Sequence, residues 1–211
     1  MARILRVFLI LSFAFLFPVP CNSQEDILVR VPPHSDIKVV ADFDSGKDPN
    51  SIGGYPSMVF KKPAFLQSAY SKKEKHGGTG YSLELEYYVP KGEDAAWSTD
   101  LNELDISAAK GISFRIKCTE GPEKFWLALE DKAGNRNEIN LAGFIKPVTD
   151  WQEIKVPMEK FPSIDTNKMG KFSLDFKGDP SVISGKIYLD DISFYGDPEL
   201  FFLGLKDNIA Y

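Results

Sequence analysis

Cysteine and histidine are almost missing from this sequence, with two of each in 211 residues. Cys21 lies in the apolar leader, which leaves Cys118 as the one thiol certain to remain, and one thiol closes no internal disulfide. In its strand-like run Cys118 reads as a small buried hydrophobe. His34 stands beside Pro32-Pro33 and His76 in a Lys/Gly-rich loop, and neither has the spacing of a metal site or of a nucleophile's base. There is no Gly-x-Ser-x-Gly elbow, no His-Glu-x-x-His and no phosphate loop. Carboxylates are plentiful, and a glycosidase needs only two of them about 5–10 Å apart. No pair stands out, so a non-catalytic chain is expected, with a small glycan hydrolase or lyase as the enzyme alternative.

Positive charge is also scarce: 25 Lys and Arg face 30 Asp and Glu, a net charge of −5. Nucleic-acid binding is excluded on that ground, since phosphate contacts need clustered cations. The densest basic run, Lys72-Lys73-Glu74-Lys75, is short and reads as a solvated loop. Long apolar runs are absent after residue 17. The run at 7–17 (VFLILSFAFLF), preceded by Arg3 and Arg6 and followed by polar residues from Asn22, has the layout of a secretory signal peptide. As a helix it rises only about 16 Å, too little for a hydrocarbon core of roughly 30 Å. An exported protein without a transmembrane span in its mature chain is therefore expected. Cleavage after Ser23 and lipidation of Cys21 are the two processing routes, and Pro18-Val19-Pro20 obstructs the second.

What remains is rich in strands and turns. Residues 39–43, 81–89, 111–118, 124–130, 151–156, 171–176 and 186–195 read as extended. In 81–89, Leu83, Leu85, Tyr87 and Val89 alternate with Ser82, Glu84, Glu86 and Tyr88. In 111–118, Ile112, Phe114, Ile116 and Cys118 alternate with Ser113, Arg115 and Lys117. A period of two with one polar face marks a sheet buried on one side. Turn signals separate these runs, among them Lys47-Asp48-Pro49-Asn50, Gly77-Gly78 and Ala133-Gly134-Asn135. No segment has a sustained helical period; residues 101–109 make at best one helical turn. The expectation is an all-β, two-sheet antiparallel β-sandwich of jelly-roll type over 36–196, with a linker at 24–35 and a tail at 197–211. No second domain is visible.

Acidic motifs mark both ends of that domain. By alternation Asp42 and Asp44 leave the first strand on one side and Phe43 on the other. In IYLDDISF, Asp190 shares a side with Tyr188, Ile192 and Phe194 and should face the core. A carboxylate there is costly unless paired or bound to a cation. Calcium is one resolution if the end strands pair, with Asp42, Asp44 and Asp190 as ligands. Solvated surface turns are the other.

The stretch VVADFDSGKDPNSIGGYPSMVF resembles the opening of family 11 carbohydrate-binding modules. The resemblance continues through YSLELEYYV, GISFRIK, FWLALEDKAGN, TDWQEIKVPMEKF and GKIYLDDISF, nearly the whole mature chain. The related complex I intermediate-associated family of the galactose-binding-like group shares much of the pattern. The resemblance implies a jelly roll with a structural calcium joining first and last strands. It also implies a concave groove in which aromatic rings meet sugar faces. Relatives often carry Trp where this chain has Pro56, which cannot stack like an indole and removes a ladder donor.

Tyr55, after Gly53-Gly54, is the leading ligand candidate. Trp126 opposes Phe125, Leu127 and Leu129, and is either a groove platform or a ring packed under a loop. Tyr88 and Arg115 also oppose apolar neighbours; both are candidates for the concave face, and a cross-strand ion pair is the alternative for Arg115. Trp97 and Trp151 read as structural. The expected partner is a polysaccharide or oligosaccharide, and the competing reading is a cell-envelope domain that holds another protein.

Overall fold

Where apolar and polar residues alternate, the chain does form paired strands. A computed structural model describes residues 35–119, 124–146 and 149–196, with the backbone alone described at 35–37. The expected leader, most of the linker and the tail at 197–211 lie outside the described residues, as do Cys21 and His34. One sheet has the order β3 (Phe65–Ser71), β4 (Ser82–Val89), β11 (Ile183–Gly196), β6 (Ala109–Cys118), β9 (Gln152–Pro157). β1 (Ser35–Ala41) joins this sheet on β11. The second sheet runs β2 (Pro56–Phe60), β5 (Asp94–Leu104), β10 (Met169–Lys177), β7 (Phe125–Asp131), β8 (Arg136–Asn140). All pairings are antiparallel. Most chain-consecutive strands lie in opposite sheets or apart, the crossing pattern of a jelly roll.

The inner faces meet in an aromatic layer. The Phe172 ring lies 6.3 Å from Trp97 and 6.0 Å from Phe114, edge-on to both, and Tyr87 stacks on Phe176 at 4.4 Å. Such ring pairs add about 0.5–1.5 kcal/mol to the burial of the rings themselves. Cys118 is buried in this core.

Four strands escape the alternation reading. β2 is an edge strand with no buried residue, so PSMVF carries no inward-outward contrast. β5 does alternate, with Ala95, Trp97, Thr99 and Leu101 buried, but its outward Ala96 and Ser98 are too small to make the period visible. The expected helical turn is not formed: Leu101–Leu104 completes β5 instead. β3 and β8 are short or weakly patterned.

β11 is the longest strand and bears the main irregularity. Its first half pairs with β4 through Leu189↔Leu83, and its second half pairs with β1 from Ile192↔Ala41. Asp191 adopts a left-handed φ of 51° at the junction, an uncommon choice for a residue with a side chain. This bulge resets the alternation: Ile187 and Leu189 face the core before it, Ile192 and Phe194 after it.

Removing the central ring tests this packing. Phe172→Ala should cost about 3–5 kcal/mol, read as a lowered midpoint in urea unfolding followed by Trp fluorescence.

Candidate functional site

The outward face of the second sheet is made from alternate residues of its five strands. Register sets Ser57 of β2 beside Ser98 of β5, Ser98 beside Ser173 of β10, and Ser173 beside Ala128 of β7. These small side chains form a floor. One flank is the row Val59, Ala96, Asp175, Trp126 and Asn140, and the other is Asp100, Lys171, Glu130 and Arg136. The local sequences dictate this: in KFSLDFK and FWLALED the Phe and Leu residues enter the core, which leaves Ser173, Asp175 and Trp126 outward.

Arg136 lies beside Glu130 in the ladder, with Nη1 3.6 Å from Glu130 Oε2, yet its Nη2 donates to Asp175 Oδ2. The guanidinium therefore crosses the small-residue floor. Asp175 is 7% exposed, and its Oδ1 is buried with no hydrogen-bond partner among the described residues. Burial pushes its carboxyl above the usual range, while the Arg136 hydrogen bond and charge pull it down. A buried acceptor without a donor costs roughly 1–3 kcal/mol. Lys177 Nζ sits 5.0 Å from the Trp126 ring centre, in cation–π range, and also donates to Glu138.

Asn50 fixes the loop that delivers Tyr55. Its Oδ1 accepts from the N–H groups of Ile52 at 3.1 Å and Gly54 at 2.7 Å. Its Nδ2 donates to Thr99 Oγ1 at 2.8 Å and the Asp100 carbonyl at 3.0 Å. Gly54 passes so close to β5 that a Cβ there would stand 1.9 Å from the Asp100 carbonyl oxygen. The Asp100 N–H then donates to the Tyr55 carbonyl at 3.1 Å, placing Tyr55, 62% exposed, at the end of the Asp100 row. Pro56 opens edge strand β2, where its missing N–H costs least.

Of the four expected ligand residues, Trp126 and Tyr55 share this face. Tyr88 and Arg115 belong to β4 and β6 of the other sheet, so the expected common groove is corrected here. Alternation shows that a side chain faces outward but not from which sheet. Tyr88 is exposed next to Phe65, and Arg115 pairs with Glu153 at 3.9 Å across β6 and β9, the ion-pair alternative. Asp175, Arg136, Lys177 and the serine floor were missed; the alternation of KFSLDFK contains Ser173, Asp175 and Lys177, whereas Arg136, Ser57 and Ser98 reach this face only through strand order.

The acidic ends also differ from expectation. Asp190 does not face the core: the bulge leaves it outward with Tyr188, beneath the segment 71–80. Phe43 takes φ 52° and is buried, which breaks the alternation and sends the side chains of Asp42 and Asp44 to different surroundings. Asp42 lines a hollow with Phe43 and Tyr70. Asp44 packs on Gly80, where a Cβ would stand 1.7 Å from its Oδ1. His76, expected in an exposed loop, donates its backbone N–H to Asp190 Oδ2 at 3.2 Å. Its Nδ1 lies 2.8 Å from Asp191 Oδ2, and its ring meets Trp151 edge-on at 5.8 Å.

Asp190 is 2% exposed. Burial pushes its carboxyl up to about 7, and the charges of Asp191 and Asp44 add to this against the N–H groups of His76 and Asp191. A cation would relieve that excess of negative charge. No group of three or more Asp, Glu, His or Cys converges on one point among the described residues. A metal between Asp44 and Asp190 would need carbonyl or water oxygens as well, a donor set that suits calcium and not zinc.

A two-sheet jelly roll with a sculpted outward face is the architecture of β-sandwich carbohydrate-binding modules. The chain belongs to the family of carbohydrate binding domain 30, which matches residues 67–196. Among curated proteins, none matches the chain. Solved structures share the fold. A family 11 module from Clostridium thermocellum, in complex with a β-1,3-1,4-mixed-linked tetrasaccharide, has TM-score 0.56 at 18% identity, covering 76% of this chain and 95% of that one. The family 30 module of a cellulosomal cellulase of Clostridium thermocellum has TM-score 0.55 at 18% identity, covering 75% and 98%. A β-1,2-glucanase from Parabacteroides distasonis has TM-score 0.59 at 17% identity over 75% of this chain but only 25% of its own.

The Asp190 carboxyl makes stability depend on pH when no metal is present. The folded protein holds this proton up to about pH 7, whereas the unfolded chain releases it near pH 3.9, about the ordinary Asp value. The folded state binds more protons between those limits, so this group lowers stability as pH rises from about 4 to 7. In chelator, melting temperatures measured across that range should fall more steeply for the wild type than for Asp190→Asn.

Proposed function

We propose that the protein is an exported, non-catalytic module that holds a neutral polysaccharide or oligosaccharide on the outward face of its second sheet. The observation that carries this reading is the buried, donor-less Oδ1 of Asp175 beside Trp126, above a floor of small residues. A pyranose offers an apolar C–H face for the ring and hydroxyl donors for the carboxylate. Arg136 and Lys177 are already engaged by Asp175, Glu130 and Glu138, so a polyanionic glycan finds these cations occupied. The tetrasaccharide held by the family 11 relative supports a β-glucan as first choice. The apolar leader supports export.

Affinity electrophoresis through β-glucans, xylans, mannans and pectins tests this. A neutral polymer should retard the protein, and Trp126→Ala or Asp175→Ala should weaken retention about tenfold, roughly 1.4 kcal/mol. Migration unaffected by every polymer would overturn the reading.

Calcium, on the same proposal, joins the first strand to the last through Asp44 and Asp190. Adding calcium at pH 7.5 should raise the melting temperature of the wild type and leave Asp190→Asn unmoved. An equal response in both proteins would remove calcium from this site.

A further inference from the structure

A hollow of about 240 Å³ lies between the loop at 42–51 and strands β2, β3 and β5. It is separate from the serine floor, because Trp97 and Thr99 enter it from the core side of β5 while Ser98 faces the other way. It runs from surface to core: Asp48 at its mouth is exposed, and Trp97 at its depth is 1% exposed. Phe43 and Tyr70, with ring centres 6.4 Å apart, and Pro49 give it apolar walls.

Its polar groups are arranged for a ligand. Trp97 Nε1 is buried and has no hydrogen-bond partner among the described residues, an arrangement that native interiors rarely keep. Asp48 Oδ1 accepts from the Tyr70 hydroxyl, and Asp42 Oδ1 accepts from the Asp44 N–H at 3.2 Å. The second oxygen of each carboxylate is left as an acceptor among the described residues. Asn50 is fully engaged in shaping the loop and offers nothing.

We infer that this hollow is a second saccharide site that takes the terminal ring of a neutral glycan end-on. Hydroxyls donate to Asp42 and Asp48, and the C–H faces lie against Phe43 and Tyr70, with the Trp97 ring closing the depth of the hollow. The volume is below the roughly 300–1,000 Å³ of sites for drug-sized ligands, which limits occupancy to about one ring. The closed inner end at Trp97 admits a chain end and not a passing chain. The two carboxylates disfavour an anionic ligand. This site shares no residue with the Trp126 face, so the two readings stand or fall separately.

The test is the Trp97 indole ¹H–¹⁵N signal. The protein has three Trp, so spectra of Trp126→Ala and Trp151→Phe assign it by elimination with Trp97 intact. Glucose, xylose, mannose and galactose are titrated singly to about 100 mM. At least one should shift the Trp97 signal with a Kd on the order of 1–10 mM. The shift should persist in Trp126→Ala and weaken about tenfold in Asp48→Asn. A signal that stays still with all four sugars, or a shift that disappears in Trp126→Ala, would overturn the proposal; in the first case the hollow holds water alone.

Discussion

Strand β11 must satisfy two partners in succession along one edge, and the first sheet depends on how it does so. β4 ends at the level of Leu189 and β1 begins at the level of Ile192. The gap is closed by the left-handed Asp191, which absorbs the extra residue and returns the apolar side chains to the core. Without that bulge a strict period of two would turn Ile192 and Phe194 to solvent. The same bulge sets Asp190 outward, under the segment that carries His76 and close to Asp44. The backbone solution thus gathers negative charge at the end of the ladder that joins the first strand to the last. A cation at that point would serve the fold directly, since it would hold β1 to the strand that organises everything else.

The second sheet meets a different constraint. Its inner face is built round Trp97, Phe125, Phe172 and Phe176, and much of its outer face is made of small or charged residues. Small residues in the middle of a sheet contribute little to stability and leave a trough that longer side chains can cross. Arg136 uses it to reach Asp175. The result is a face on which Arg136 and Lys177 are paired with carboxylates while Asp175 retains one unsatisfied oxygen. That combination suits a neutral, hydroxyl-bearing partner better than a charged one.

Much of this was legible in the residues. Alternation located seven strands because their core residues are large and their outward residues polar. The family pattern, carried by segments from GGY to YLDDI, led to the correct fold group. β5 was hidden because Ala96 and Ser98 offer no contrast with Ala95, and β2 because none of its residues is buried. The site was half legible for a related reason. Trp126 could be assigned outward, but the sheet that carries Tyr88 or Arg115 follows from strand order, which pairs residues far apart in sequence. The inward placing of Asp190 failed at a single left-handed residue, and no periodicity announces one.

The loop anchored by Asn50 separates two roles that loops usually mix. Its shape is set by one side chain bound to four groups of the main chain and of Thr99, together with the close passage of Gly54. Asp48 ties the loop to β3 through the Tyr70 hydroxyl, whereas the neighbouring side chains at Lys47, Ser51 and Tyr55 take no part in holding that shape. Variation can therefore explore those three positions without disturbing the scaffold. A lineage carrying this module can change what it recognises by ordinary point substitutions, with the stability of the domain largely insulated from the search.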